Sequence, residues 1–259
     1  MPSKSQESVK HVSVYSHIAP LYDYMMRHVN YVQWYRYIDS LLNAYAPNPR
    51  SLLELACGTG KMLEKFAGQV PVLMGLDRSF EMLQGARQRL SGKCDHLLLW
   101  NGDMRQFAIQ IEVQVVLCLY DSINYCMSED ELTATLDSVN VCLQDGGVFI
   151  FDICTRRTCK NYFRSLHEVD TFAGTEFVRR GRYDDKNDWQ INEFWLNQQE
   201  TGSQYFERHV QKIYSLRAVK KSITRSQKWD ILGVYNNFTR RPGSERSFRV
   251  HFVLQKRTG

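Results

Sequence analysis

Ser51-Leu-Leu-Glu-Leu-Ala-Cys-Gly-Thr-Gly60, followed at once by the helical run Lys61 to Phe66, is the stretch whose reading decides the fold. An apolar strand from Leu52 to Ala56 runs into two glycines separated by one residue, and a helix begins directly after them. In this β-turn-α arrangement the backbone N–H groups at the helix start face a polar or anionic ligand. The next apolar run, Val70 to Leu76, ends at Asp77. A carboxylate there stands at the C-terminal edge of the neighbouring strand, the height at which it accepts both hydroxyls of a ribose.

Outward from this point the pattern alternates. Helix Ser79–Arg89, with Ser79 as its cap, follows the second strand, and Leu97–Trp100 is a third strand ending at Gly102-Asp103-Met104. Val113–Leu119 is a fourth strand, Glu129–Cys142 a helix, and Asp145-Gly-Gly147 a turn into a fifth strand, Val148–Asp152. Continuous apolar strands with short helical connections predict an α/β, Rossmann-like doubly wound sheet. Upstream, Ile18-Ala-Pro-Leu-Tyr22-Asp23 reads as a turn or helix start, and Val32–Ala44 as an amphipathic helix with Trp34, Ile38, Leu41 and Leu42 near one face.

After Asp152 the rhythm changes to strand-like segments at 168–181, 188–197 and 203–213, separated by polar turns. The sequence therefore predicts an antiparallel subdomain inserted after the fifth strand. Residues 1–154 form an N-terminal helical cap and nucleoside-binding core, 155–212 the inserted substrate-side subdomain, and 213–259 the completion of the core sheet. A helix from Tyr214, with Ser215 as a candidate cap, and an antiparallel pair, Asp230–Tyr235 and Phe248–Gln255, make up that last part.

The composition bounds the function. The formal charge of +5 is scattered over 259 residues, which draws no nucleic-acid stripe and fits a small acidic substrate no better than plain solubility. Seven cysteines without a Cys-x-x-Cys pair read as reduced, mostly buried side chains. The first residues, Met-Pro-Ser-Lys-Ser-Gln-Glu, lack an apolar signal core, and no segment reaches the roughly 18 apolar residues of a membrane span. A cytoplasmic protein without a membrane or nucleic-acid partner is the expectation. The seven histidines show no metal-ligand spacing, so no metal is expected. The position three after Gly60 is Leu63, where a nicotinamide-dinucleotide loop has a third glycine. Lys61 is followed by Met62, where a phosphate-loop ATPase has a hydroxyl residue.

Glu54-Leu-Ala-Cys-Gly58-Thr-Gly60, Gly75-Leu-Asp77-Arg-Ser-Phe-Glu-Met82-Leu and Gly102-Asp103-Met104 together resemble the first three motifs of class I S-adenosylmethionine-dependent methyltransferases. Leu119-Tyr-Asp121-Ser122-Ile-Asn124-Tyr125 resembles the substrate-facing loop of small-molecule members, the branch of glycine or sarcosine and amino-sugar N-methyltransferases. The resemblance covers most of residues 15–152. It departs at Ser226–Asp230, where relatives carry an apolar, glycine-containing turn, and the insert matches no single substrate class.

The resemblance implies S-adenosyl-L-methionine as cofactor, held by Tyr22, Tyr31, Trp34, Ala56, Gly58, Asp77, Arg78, Met82, Asp103, Met104, Leu119 and Tyr120. Asp77 takes the ribose hydroxyls, Asp103 the exocyclic amine of adenine, and Met82 covers an adenine face. Asp121, Asn124 and Tyr125 are the candidates for orienting the acceptor or receiving a proton. His209 reads as core-satisfied or solvated ahead of a substrate ligand. The favoured activity is methyl transfer to a small amine or amino sugar, with O-methylation of a small molecule and non-catalytic cofactor binding as open alternatives. Oligomeric state is not readable.

Overall fold

The computed structural model describes residues 9–258, so the polar start discussed above, residues 1–7, lies outside the described residues. Two sheets organise the chain. The main sheet contains β2 (Ser51–Leu55), β3 (Val72–Asp77), β4 (His96–Asn101), β5 (Val113–Cys118), β6 (Leu143–Cys154), β11 (Trp229–Asn236) and β12 (Arg249–Lys256), in the order β11-β12-β6-β5-β2-β3-β4. Strands β6, β5, β2, β3 and β4 are mutually parallel, while β12 runs antiparallel to β6 and β11 antiparallel to β12. The predicted Rossmann-like sheet with a closing antiparallel pair is the observed one.

Alternation along the strands sends side chains to two separate cores. Leu53, Leu55, Val116 and Phe149 face α5 (Glu129–Cys142) and α7 (Leu216–Arg225). Leu52, Leu73, Val115 and Ile150 face α2 (Tyr31–Tyr45), α3 (Lys61–Phe66) and α4 (Phe80–Leu90). Both faces of the central strands are thereby covered, which is why they read as unbroken apolar runs. Helix starts are capped by side chains the sequence offers: Ser79 accepts from the Met82 N–H, Ser128 from Glu131 and Ser215 from Ala218.

The second sheet contains β1 (Lys10–His11), β7 (Leu166–Phe172), β8 (Thr175–Asp184), β9 (Trp189–Gln198) and β10 (Gln204–Lys212), in the order β1-β10-β9-β8-β7. Apart from β1 it lies between β6 and α7 in sequence, entered through α6 (Arg156–Tyr162), a short helix absent from the sequence reading. Three other details differ from the expectation. The segment 168–181 is not one strand but the hairpin β7–β8, turned by Ala173 and Gly174 at φ 48° and 74°. Two left-handed residues in a row match the twist of the flanking strands. The expected turn at Asp145–Gly147 is instead a bulge within β6, where the pairing with β5 jumps from Val113–Leu143 to Val115–Val148. Finally, β1 pairs in parallel with β10, so the start of the described chain joins the inserted sheet. From there the chain passes through α1 (Ala19–Met25) to α2.

Candidate active site

The loops at the C-terminal ends of β2, β3, β4 and β5 meet in one crevice, the place where open α/β sheets hold ligands. After β2 the chain turns through Ala56, Gly58 and Gly60 with φ of 51°, 55° and 74°. Gly60 is needed there: a Cβ would lie 3.2 Å from the Ala86 methyl, and left-handed backbone disfavours any side chain. Asp77 ties this turn to the next one. Its Oδ2 accepts from the Gly58 N–H at 2.7 Å and its Oδ1 from the Ser79 N–H at 2.8 Å. Burial pushes the Asp77 pKa up, and the N–H groups of Ser79, Gly58 and Arg78 pull against that.

Above Asp77 opens a cavity of about 500 Å³ that Tyr22, Ala56, Gly58, Arg78, Met82, Asp103 and Met104 also line. Asp103 already has a partner. Its Oδ1 accepts from the Arg105 N–H and Nε at 3.0 and 2.9 Å and its Oδ2 from Nη2 at 2.5 Å, which holds its carboxyl below the usual range. A narrow cleft of about 50 Å³ continues behind Gly58, between Tyr22, Tyr31, Trp34, Leu119 and Tyr120. Its floor includes Glu54, buried inside β2, whose Oε2 has no hydrogen-bond partner. Burial pushes the Glu54 pKa up to about 8. A buried acid with an orphaned oxygen facing a cleft is the setting in which a ligand ammonium would be held and the acid ionised.

On the other side of the crevice a cavity of about 480 Å³ lies between the two sheets. The turn after β5 enters it with two consecutive left-handed residues, Tyr120 and Asp121, at φ 61° and 53°. Such backbone costs on the order of 1–3 kcal/mol per residue and persists only where its surroundings enforce it. Asp152 does so: its Oδ1 accepts from the Tyr120 N–H at 2.7 Å and its Oδ2 from the Asp121 N–H at 2.9 Å. Arg249 then bridges the two acids, pairing through Nη1 with Asp152 and through Nη2 with Asp121 at 2.6 Å. Its guanidinium sits over the rings of Trp34 and Tyr120, 5.2 and 5.1 Å from their centroids. Burial raises the pKa of both acids while Arg249 lowers it. Gln211 donates to the other Asp121 oxygen at 2.9 Å.

Tyr15, Tyr22, Ser122 and Tyr125 line both large cavities and form the boundary between them. The Tyr125 hydroxyl lies 2.8 Å from that of Tyr15 and 3.1 Å from His209 Nδ1. His209 Nε2 is 3.0 Å from Oε2 of Glu207, a fully buried carboxylate that also accepts the backbone N–H groups of Tyr15, His17 and Ile18.

The candidates from sequence thus gather around one crevice, with a single exception. Asn124 is fully buried, donates to the Lys212 carbonyl at 2.6 Å and accepts from the Cys154 N–H at 3.0 Å, and lines none of the three cavities. Its amide fastens the 3₁₀ turn Ser122–Tyr125 to the ends of β6 and β10, so it is not carried forward as an acceptor-orienting residue. The sequence reading did not single out Tyr15, Asp152, Arg249 or Glu207, which the structure brings to this crevice, and it read His209 as core-satisfied or solvated ahead of a substrate ligand. A signal for part of this set was present: Glu207, His209 and Gln211 alternate on β10 and are all buried, so three polar side chains share an inward face.

Known proteins share this fold. Residues 52–147 match the family model described as a methyltransferase domain. The chain superposes on a crystal structure of an S-adenosylmethionine-dependent methyltransferase from Clostridium acetobutylicum with a TM-score of 0.78, covering 94% of this chain and 99% of that one at 22% identity. The chain therefore shares the fold of that methyltransferase, and its residues 52–147 resemble a methyltransferase domain. Over 94% of its length the chain is also 26% identical to YqeM of Bacillus subtilis, a protein named as a methyltransferase, spanning 97% of it. A stretch of 136 residues is 34% identical to the dTDP-3-amino-3,4,6-trideoxy-alpha-D-glucopyranose N,N-dimethyltransferase of Streptomyces venezuelae, covering 52% of this chain and 56% of that enzyme. The Ala56–Gly60 turn, Asp77 and the Asp103–Met104 pair all belong to the segment matched by the family model, whereas Tyr15, His209 and Arg249 lie outside it. Among the described residues no helix is long and apolar enough to cross a membrane, and no cluster of three or more His, Cys, Asp or Glu side chains could hold a metal ion.

Proposed function

We propose that the protein transfers a methyl group from S-adenosyl-L-methionine to the nitrogen of a small, polar amine, with an amino sugar as the best-fitting class. The observation that carries this reading is the pair of cavities meeting at Tyr15, Tyr22 and Tyr125, one floored by Asp77 and the other walled by side-chain amides. Asp77 would hold the ribose, Met82, Asp103 and Met104 the adenine, and the cleft at Glu54, Tyr31, Trp34, Leu119 and Tyr120 the methionyl end. The orphaned Glu54 oxygen supports the fit, since an α-ammonium would supply the missing partner. When bound, the cofactor supplies a sulfonium-activated methyl group.

The acceptor cavity, at about 480 Å³, is in the range of small-molecule sites. Gln190, Asn192 and Gln211 project into it from β9 and β10, which suits a hydroxyl-bearing acceptor better than an apolar phenol. An O-methyltransferase needs a base for the hydroxyl proton. Asp121 is engaged by Arg249 and Gln211, and burial pushes the Tyr125 pKa far above its ordinary value, so neither is itself an unengaged anion, and a hydroxyl proton would have to pass through Tyr125 to His209. The amino-sugar relative above supports nitrogen as the acceptor atom.

Two measurements test this. Titration with S-adenosylhomocysteine should show saturable binding that weakens at least about 30-fold in Asp77→Ala, the loss of two charge-assisted hydrogen bonds. A methyl-transfer screen over glycine, small amines, amino sugars and phenols, read by product mass, should give product with amino sugars. Product from phenols alone would reject nitrogen as acceptor, and binding without any product would support a non-catalytic cofactor-binding protein.

A further inference from the structure

Resting on the N-methyltransferase reading, we propose that Tyr125, His209 and Glu207 form a built-in proton exit, with Tyr125 taking the proton of the arriving ammonium and His209 receiving the one Tyr125 gives up. An amine reaches such a site largely protonated at neutral pH, and its nitrogen is a nucleophile only after that proton has left. The chain of contacts leads away from the boundary of the two cavities: Tyr125 Oη to His209 Nδ1 at 3.1 Å, then His209 Nε2 to Glu207 Oε2 at 3.0 Å.

The donors and acceptors around these atoms set the direction. Glu207 is fully buried and surrounded by donors: the N–H of Tyr15 at 2.7 Å on Oε2, and those of His17 and Ile18 at 2.6 and 3.0 Å on Oε1. Burial alone would raise its pKa, yet the His209 contact and the N–H groups of His17 and Ile18 hold it below the usual carboxylate range. An ionised carboxylate can only accept, so His209 presents Nε2–H to it and Nδ1 is left as the acceptor. Tyr125 O–H therefore donates to Nδ1, and its oxygen lone pairs face Tyr15 and the cavity boundary. The ammonium gives one proton to Tyr125 Oη as the original Tyr125 proton moves to Nδ1. The products are a neutral amine with a free lone pair and an imidazolium against the Glu207 carboxylate, with charge conserved. His209 itself lines the acceptor cavity, so the proton leaves to water once the product departs.

Burial keeps the Tyr125 hydroxyl protonated, which makes it a relay and not a phenolate base. The other acidic and basic side chains around this cavity are Asp121, Glu168, Arg179, Arg249 and His28, beside the hydroxyls of Tyr15, Tyr22, Tyr120 and Tyr162 and the Cys154 thiol. Asp121 is taken by Arg249, and Arg179 lies 3.8 Å from Glu168 with its Nε and Nη2 on the Asn192 carbonyl. His209 is thus the one group in direct contact with Tyr125 that has a lone pair and a buried counter-charge. In this scheme Tyr125 is the catalytic residue, and His209 and Glu207 are positioning residues that act through it.

The test has a ligand-only arm and an activity arm. With ¹⁵N-labelled histidine and saturating S-adenosylhomocysteine, the His209 ring should show the Nε2–H tautomer, and Tyr125→Phe should shift its Nδ1 resonance downfield as the hydrogen bond is lost. An Nδ1–H tautomer would overturn the proposal, because His209 would then donate to Tyr125. In the activity arm, using the amino sugar methylated in the screen above, His209→Gln should lower kcat/KM about 100-fold at pH 7, with the defect shrinking below about threefold as pH approaches the amine's own pKa. Glu207→Gln should show the same convergence from a smaller defect. A defect constant across that pH range would mean a purely structural role and would also overturn the proposal. Loss of S-adenosylhomocysteine binding in the wild-type protein would instead refute the methyltransferase reading itself, so the two failures are distinguishable.

Discussion

The two halves of the crevice are built in opposite ways. The donor side is made from short loops contiguous in sequence, in which backbone N–H groups and one carboxylate, Asp77, hold the geometry. The acceptor side is made from side chains far apart in sequence, with Tyr15, Asp121, Asp152, His209 and Arg249 drawn from both sheets and the leading segment. Donor-side order follows from the turn itself. Acceptor-side order depends on buried charges paired across distant stretches of chain, Arg249 of β12 with Asp152 of β6 and with Asp121 after β5, to which Gln211 of the second sheet adds a hydrogen bond.

That difference predicts where the molecule breaks. The largest effect should come from Arg249→Met, which leaves Asp121 and Asp152 buried without their shared cation. Denaturant unfolding should show a loss of about 3–5 kcal/mol, because uncompensated buried charge is the costly outcome of breaking such a network. A loss under about 1 kcal/mol would mean that the acceptor side is not held by charge, and the contrast between the halves would fail.

A smaller, pH-dependent effect is expected on the donor side from Glu54. The folded protein keeps this acid protonated up to about pH 8, whereas the unfolded chain releases the proton near its ordinary value of 4.5. Between those values the native state binds more protons, so stability of the ligand-free protein should fall as pH rises from about 5 to 8, by on the order of a few kcal/mol. Thermal melts of Glu54→Gln should lack this slope, and the same substitution should weaken S-adenosylhomocysteine binding. Parallel slopes in the two proteins would remove Glu54 as the buried acid of the cleft.

The smallest effect sits where the halves touch. Ser79 caps α4 by accepting from Met82, and its hydroxyl donates to the Tyr15 carbonyl at 2.9 Å. Ser79→Ala should cost about 1 kcal/mol in denaturant unfolding. If the cap alone matters, the His209 resonance described above stays in place. If the contact also positions Tyr15, that resonance moves.

The same division explains what could be read in advance. The helix of residues 129–142, the Ser79 cap, the closing antiparallel pair and the glycine turn after β2 were legible because each depends on hydrophobic periodicity or on residues within a few positions of one another. The hairpin at Ala173–Gly174 was hidden because alanine is not a turn residue and only the left-handed backbone marks the reversal. Asn124 misled because an amide on the expected loop carries no sign of which way it points, and here it fastens β6 to β10. Arg249 stood in an apolar closing strand, and nothing local to it names Asp121 or Asp152 as partners 128 and 97 positions away.

By itself, then, the sequence determined a parallel α/β sheet and the glycine turn between β2 and α3, because hydrophobic period, glycine conformational freedom and helix caps act over a few residues. Only the tertiary structure decided the acceptor side. Glu207 becomes a fully buried acceptor of three backbone N–H groups behind the cavity-lining His209, and Arg249 a bridge between two acids, when β10 and β12 bring them against residues distant along the chain. The physical reason is that a buried charge is tolerable only beside its partners, and the fold, not the local sequence, supplies those partners.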